Sequence, residues 1–335
     1  MTAFTRRRAL KTLFCSSAAL GLNLSPRQAL ADGLDMPEDR HFMMLGDFGS
    51  MEKPMEAVAS GMTRYVSKRP LRPEGLWLLG DNFYKEVKGG VKSPRWRSGF
   101  EDLFPEKVFP GPCWAMLGNH DYHDSTDGEQ IQLDYAKQPE TRWKMPAKYY
   151  RVDWPAEKPI VTFLVLDTNW RSINEKLHGS PVGQRKPWWL SAAEEAAQHQ
   201  WLTAELAKPR TTPWLICLGH HPFYSNGSHG DTKTLIETWG PLFQQHGVHL
   251  YCGGHDHDLQ HLELEGLKTS FVVSGAGGAR VRNLKNARKV PFNQAVHGFS
   301  HLQVNASRLL LRHIDANGQQ LHAFSKTPDG KVTVL

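Results

Sequence analysis

Val248-His249-Leu250-Tyr251-Cys252 is a short apolar run that reads as a buried strand, and Gly253-Gly254-His255-Asp256-His257 follows it without a spacer. An apolar strand that stops at glycine and then presents nitrogen and oxygen donors reads as a sheet strand opening into a ligand-binding turn. His255 and His257 are two residues apart, so on an extended segment they face the same way. Their reach suits two neighbouring cations about 3.5–4 Å apart. The same unit occurs at Gly46-Asp47-Phe48-Gly49, Gly80-Asp81-Asn82-Phe83-Tyr84, Gly118-Asn119-His120-Asp121 and Gly219-His220-His221-Pro222, each behind an apolar run. One Gly-Asp turn is commonplace. Five strand–Gly–donor units in one chain point to a single donor cluster at the ends of several strands.

Working outward, the apolar runs that read as strands are 41–45, 76–79, 113–117, 160–166, 214–218 and 248–252, with helical patterns between them. The clearest helix is 191–207, opened by a Ser191/Glu194 capping box and expected to show Ala193, Ala197, Trp201 and Ala204 on one face. Near 236–246, Gly240-Pro241 is expected to interrupt a helix that Gly247 then stops. Beyond Cys252 the runs 259–264, 269–274, 300–304, 309–314 and 332–335 are strand-like. Alternating strands and helices followed by strands predict an α/β fold: a four-layer α/β/β/α sandwich of two mixed sheets with helices outside.

The chain has 335 residues with 40 basic and 34 acidic side chains, and its pI of about 9.1 taken alone would suggest a nucleic-acid partner. The location of the charge argues otherwise. Arg6, Arg7, Arg8, Lys11 and Arg27 all precede residue 32, where no acidic residue occurs, and without those five the balance is 35 to 34. Residues 1–31 have a basic start, a modest apolar stretch and a small-x-small end at Ala29-Leu30-Ala31, the layout of a cleavable export signal. Thr5-Arg6-Arg7-Arg8-Ala9-Leu10-Lys11 resembles a bacterial twin-arginine signal. The expectation is export by the twin-arginine machinery to the periplasm or medium, one catalytic domain over 32–335, no nucleic acid and no stable membrane anchor. Cys15 leaves with the signal, and Cys113, Cys217 and Cys252 sit in apolar runs that predict buried free thiols.

The donors divide by chemistry. Asp47, Asp81 and Tyr84 offer hard oxygen, which suits Fe(III); Asn119 with neutral histidines suits a divalent ion such as Fe, Zn or Mn. The motif set resembles the calcineurin-like binuclear metallophosphoesterases, and Tyr84 narrows the resemblance to purple acid phosphatases of the small tartrate-resistant type. It extends over roughly residues 40–280 and includes Leu166-Asp167-Thr168 and Ser274-Gly275-Ala276-Gly277. The resemblance implies the metallophosphoesterase fold, Fe(III) on Asp47, Tyr84 and His257, a bridging Asp81, and a divalent ion on Asn119, His220 and His255. Cys217 departs from the valine common in that family, and 169–187 lacks the cysteine of the animal regulatory loop.

A small phosphate ester is the substrate this resemblance implies, with a metal-bound hydroxide attacking phosphorus in line. Fe(III) and a divalent ion outweigh Asp47, Asp81, deprotonated Tyr84 and a bridging hydroxide, leaving a net of about +1, which draws phosphate without a basic surface. His120 and His229, the latter in Ser228-His229-Gly230, are assigned to substrate positioning and leaving-group protonation. Alternatives are a phosphodiesterase or nucleotidase on the same fold, a redox-active di-iron protein, and a non-catalytic metal-dependent binder. His221, Asp121, Asp167 and Asp256 are read as supporting residues, and His123, His178 and His246 as exposed. The loops 122–129, 170–187 and 224–231 are candidates for setting specificity.

Overall fold

The computed structural model describes residues 38–69, 71–179 and 187–335. The expected export segment, 1–31, lies outside them. In chain order the first strands are β1 (Arg40–Leu45), β2 (Gly75–Leu78), β3 (Cys113–Ala115), β4 (Trp143–Lys144), β5 (Tyr150–Trp154), β6 (Val161–Val165) and β7 (Trp214–Leu218). They continue with β8 (Leu250–Gly253), β9 (Leu259–Leu262), β10 (Ser270–Ser274), β11 (Phe292–Gln294), β12 (Gly298–Val304), β13 (Leu309–Asp315), β14 (Gln320–Lys326) and β15 (Val332–Val334). The α-helices are α1 (Lys53–Ser67), α2 (Asn119–His123), α3 (Gly128–Tyr135), α4 (Arg171–His178), α5 (Ala192–Ala207) and α6 (Lys233–His246).

Two mixed sheets result, as expected. One has the order β15-β14-β13-β12-β1-β2-β3-β4, and the other β11-β9-β10-β8-β7-β6-β5. Strands β1 to β4 are parallel, as are β6, β7, β8 and β10, so their C-terminal ends share one rim. Every residue of β2, β6, β7 and β8 is buried, because these strands are covered on both faces. Between the sheets, Trp77 stacks on Trp114 at 4.7 Å and meets Phe163 at 4.5 Å, while Phe42 meets Phe163 edge-on at 5.3 Å. Near the site the sheets are joined through polar groups: the Gly46 N–H donates to the Ser274 carbonyl at 2.7 Å, and Ser300 Oγ donates to Ser274 Oγ at 2.7 Å.

Helices cover the outer faces. α1 buries Met55, Val58, Met62 and Tyr65, and the Tyr65 hydroxyl lies 3.0 Å from His301 Nδ1 of β12. α6 lays Phe243 against Phe223 and Tyr251. None of the described helices is long and apolar enough to cross a membrane. The Ser191/Glu194 capping box is formed, yet α5 turns Gln198, Leu202 and Leu206 inward and leaves Ala193, Ala197 and Ala204 exposed. Its inner face is chosen by tertiary contact, since Gln198 caps both the backbone N–H and C=O of Asp167 at 2.8 Å. α6 runs unbroken through Gly240-Pro241 and stops at Gly247, whose φ of 60° supplies the left-handed turn. β4, β5, β11 and β14 have no apolar run to announce them, being short or polar on one face. Cys113, Cys217 and Cys252 are buried free thiols, as expected.

Candidate metal centre

The five strand–Gly–donor units converge. β1 delivers Asp47, β2 delivers Asp81 and Tyr84, β3 leads into Asn119 and His120, β7 leads to His220, and β8 leads to His255 and His257. The left-handed turn falls largely on the donors themselves: Asp47, Asp81 and His255 have φ of 57°, 51° and 70°. Of the preceding glycines only Gly80 shares a positive φ; Gly254 serves close approach instead, since a Cβ there would lie 2.5 Å from Asp47 Oδ2. His255 and His257 are therefore not on an extended segment. Tight turns (the Asp256 N–H to the Gly254 carbonyl, the Asp258 N–H to the Asp256 carbonyl, each 2.8 Å) send the two rings to different clusters.

The first cluster is Asp47, Asp81, Tyr84 and His257. The Tyr84 oxygen lies 3.1 Å from Asp81 Oδ2, 3.3 Å from His257 Nε2 and 3.4 Å from Asp47 Oδ1. One hydroxyl proton cannot satisfy three acceptors. His257 Nδ1 lies 2.7 Å from the Arg280 carbonyl, to which it donates, so the lone pair of Nε2 points at Asp47 Oδ1, 3.4 Å away. In the second cluster His220 Nδ1 donates to the Leu79 carbonyl at 2.8 Å, and its Nε2 faces Asn119 Oδ1 at 3.1 Å. His255 Nδ1 lies 3.0 Å from the same Asn119 oxygen. In both clusters lone pairs face lone pairs in a buried site, an arrangement that a cation between them satisfies. Asp47, Asp81 and His257 bring ligand atoms within 4.8 Å of one another, and so do His220, His221 and His255. The residues fit a pair of metal ions. Electrostatics report the same deficit of positive charge. Although burial opposes it, the carboxylates of Asp81 and Asp47 push His220 up to about 10, so that without a cation a proton takes its place on Nε2. Burial, with Asp81 and Asp47 adding to it, raises the Tyr84 hydroxyl well above its ordinary range.

Supporting residues hold these donors in place. Asp121 accepts from the backbone N–H groups of Gly118, Asn82 and Phe83 at 2.8–3.1 Å, tying the β2 and β3 turns together. Asp167 accepts from the Tyr122 hydroxyl at 2.7 Å, and Asp256 accepts from the His229 N–H at 2.9 Å. His221 Nδ1 meets Thr168 Oγ1 at 2.8 Å, while its Nε2 has no hydrogen-bond partner among the described residues. His120 Nδ1 is bonded to Asp124 at 2.9 Å. Burial opposes the charged ring, yet Asp81 and Asp124 lift His120 to about 9.

Two residues at the site carry no signal of their own in the sequence. His178, expected to be exposed, is half-buried, and its Nε2 receives the Asn119 amide at 3.0 Å. That bond turns Asn119 Oδ1 toward His220 and His255. His123 stacks on His178 at 4.4 Å and is likewise half-buried, as is His246. Arg282 lines the same cavity of about 100 Å³ as Asp81, Asn119, His120, His178, His229, His255 and His257. Beside it opens a hollow of about 820 Å³ bordered by Lys85, His123, Asp124, Thr126 and Trp188.

The calcineurin-like phosphoesterase family matches residues 41–259. The chain is 30% identical to tartrate-resistant acid phosphatase type 5 of Sus scrofa, over 84% of each chain. It is 28% identical to the Mus musculus protein of that name, over 91% of this chain and 96% of the other. The structure of purple acid phosphatase PPD1 from yellow lupin (Lupinus luteus) shares the fold with a TM-score of 0.65 at 17% identity, over 87% of this chain and 54% of that one. The chain thus belongs to the calcineurin-like phosphoesterase family and is homologous to the tartrate-resistant and purple acid phosphatases, which are phosphoric monoester hydrolases.

Proposed function

We propose that the chain is an exported acid phosphatase that hydrolyses small phosphate monoesters at a binuclear Fe(III)–M(II) centre, with M being Fe, Zn or Mn. Asp47, Tyr84 and His257 would hold Fe(III), Asn119, His220 and His255 would hold the divalent ion, and Asp81 would serve both. The observation that carries this reading is the Tyr84 oxygen set 3.1–3.4 Å from Asp81, His257 and Asp47, a hard-oxygen set beside a separate Asn–His–His set. Such a centre would supply positive charge against the phosphoryl oxygens and a hydroxide nucleophile at moderate pH.

The remaining chemistry belongs to the side chains. Asp124 fixes the His120 ring through Nδ1, so Nε2 is left on the cavity side to give its proton to the leaving oxygen. The open hollow beside the cavity has room for the organic part of the ester. The export part of the proposal rests on residues 1–31, whose basic start and small-x-small end lead to the periplasm or medium through the twin-arginine machinery. Metal analysis and the visible spectrum of purified protein test the centre. Two metals per chain, iron among them, and a tyrosinate-to-iron band that disappears in Tyr84→Phe are expected. A colourless two-zinc protein without phosphatase activity defeats the proposal.

A further inference from the structure

Arg282 follows β10 in a segment outside the five strand-end motifs, yet its side chain lines the central cavity. Its Nη1 lies 2.7 Å from His229 Nε2 and 3.4 Å from the His255 carbonyl oxygen. A guanidinium only donates, so His229 Nε2 is the acceptor and its ring proton sits on Nδ1. His229 is itself fixed: its backbone N–H donates to Asp256 Oδ1 at 2.9 Å, and its ring lies on that of His255 with centroids 4.1 Å apart. Arg282 forms no ion pair among the described residues, and both of its hydrogen bonds use Nη1. Among the described residues, the Nε–Nη2 edge thus has no partner. That edge carries two parallel N–H groups, the spacing that grips two oxygens of a carboxylate or phosphate. The cavity is small, so a tetrahedral oxyanion admitted among Asn119, His120 and His255 also meets Arg282.

We propose that Arg282 contacts the substrate phosphoryl group through its Nε–Nη2 edge, and that His229 is the positioning residue that holds the guanidinium in place. The inference rests on the phosphatase reading and deepens it. It also divides the labour of the two histidines: His229 Nε2 is engaged by Arg282, so protonation of the leaving group falls to His120.

Calorimetric titration of inorganic phosphate into the metal-loaded protein tests this, with metal content measured on each sample. Arg282→Ala is expected to raise the phosphate Kd by about tenfold or more, as loss of a charge-assisted hydrogen bond does. Added guanidinium chloride should restore part of that loss in Arg282→Ala and leave the wild type unchanged. His229→Ala should weaken phosphate binding in the wild-type background and add nothing to Arg282→Ala. Arg282→Lys keeps the charge but not the fork, and carries the test if Arg282→Ala fails to hold its metals; it should still bind several-fold more weakly than wild type. Phosphate binding at wild-type strength by Arg282→Ala, or by Arg282→Lys where that variant stands in, overturns the inference and leaves the phosphatase reading intact. A loaded wild-type protein that does not bind phosphate overturns both.

Discussion

At the scale of single residues, the site is organised by hydrogen bonds that settle which atom of each side chain faces inward. His220 and His257 each donate Nδ1–H to a backbone carbonyl, which leaves Nε2 as the inward lone pair. Asn119 gives its amide hydrogen to His178 and turns its oxygen inward. His120 differs, because its Nδ1 partner is the carboxylate of Asp124 and not a backbone carbonyl. That pairing stabilises a protonated ring beside the cavity without engaging Nε2. His120→Ala is therefore expected to retain both metals and to lose about 10²–10⁴-fold in turnover of a chromogenic phosphate ester. Unchanged turnover at full metal content would remove His120 from the chemistry.

At the scale of elements, five strand ends are brought so close that glycine is required between them. Gly118 and Gly254 are two such cases: a Cβ on Gly118 would lie 2.2 Å from Asp81 Oδ1, and one on Gly254 would lie 2.5 Å from Asp47 Oδ2 and 3.2 Å from the Leu79 carbonyl. Gly254→Ala should push the Asp47 carboxylate out of place, costing about 1–3 kcal/mol in stability through overpacking. Urea unfolding and metal analysis check this; a variant as stable and as metal-rich as wild type would contradict the close-approach argument. The same closeness explains what was legible beforehand. Asp47, Asp81, Asn119, His220 and His255 each follow an apolar strand directly, so local pattern alone placed them at one rim. Arg282 and His178 reach the cavity only because the segment after β10 and helix α4 dock there, and no local pattern encodes that docking. The inner face of α5 was hidden for the same reason. A buried glutamine that caps Asp167 outweighs an alanine stripe that buries little surface. Strands such as β5 and β14 alternate polar and apolar residues near sheet edges, so they lack the continuous apolar run that marked the central strands.

At the scale of the whole molecule, acidic solution strains the fold at positions remote from the centre. His249 accepts the Leu215 N–H on Nδ1 at 3.1 Å and donates from Nε2 to the Pro328 carbonyl at 3.1 Å, which suits the neutral ring. Burial is the main reason its pKa falls to about 4. The ordinary value is higher, about 6.5, so the unfolded chain takes up this proton first as pH drops. Stability from His249 is complete above that value and declines toward pH 4, by up to about 1.4 kcal/mol per pH unit. Unfolding free energies from pH 7 to 4 should show this slope, and His249→Gln should flatten it; an equal slope in both proteins would show that His249 contributes none of it. The larger electrostatic demand lies at the centre, where Asp47 and Asp81 are buried around the Tyr84 oxygen. Composition does not register the charge that answers this demand, since the basic excess sits almost entirely in the first 31 residues. In the proposed function, two metal ions supply it. The most direct test is hydrolysis of a chromogenic phosphate monoester by the purified protein as isolated, after metal stripping, and after both ions are restored. The account predicts activity that is lost with the metals and regained with them, whereas a fully loaded protein that hydrolyses no phosphate ester would contradict it.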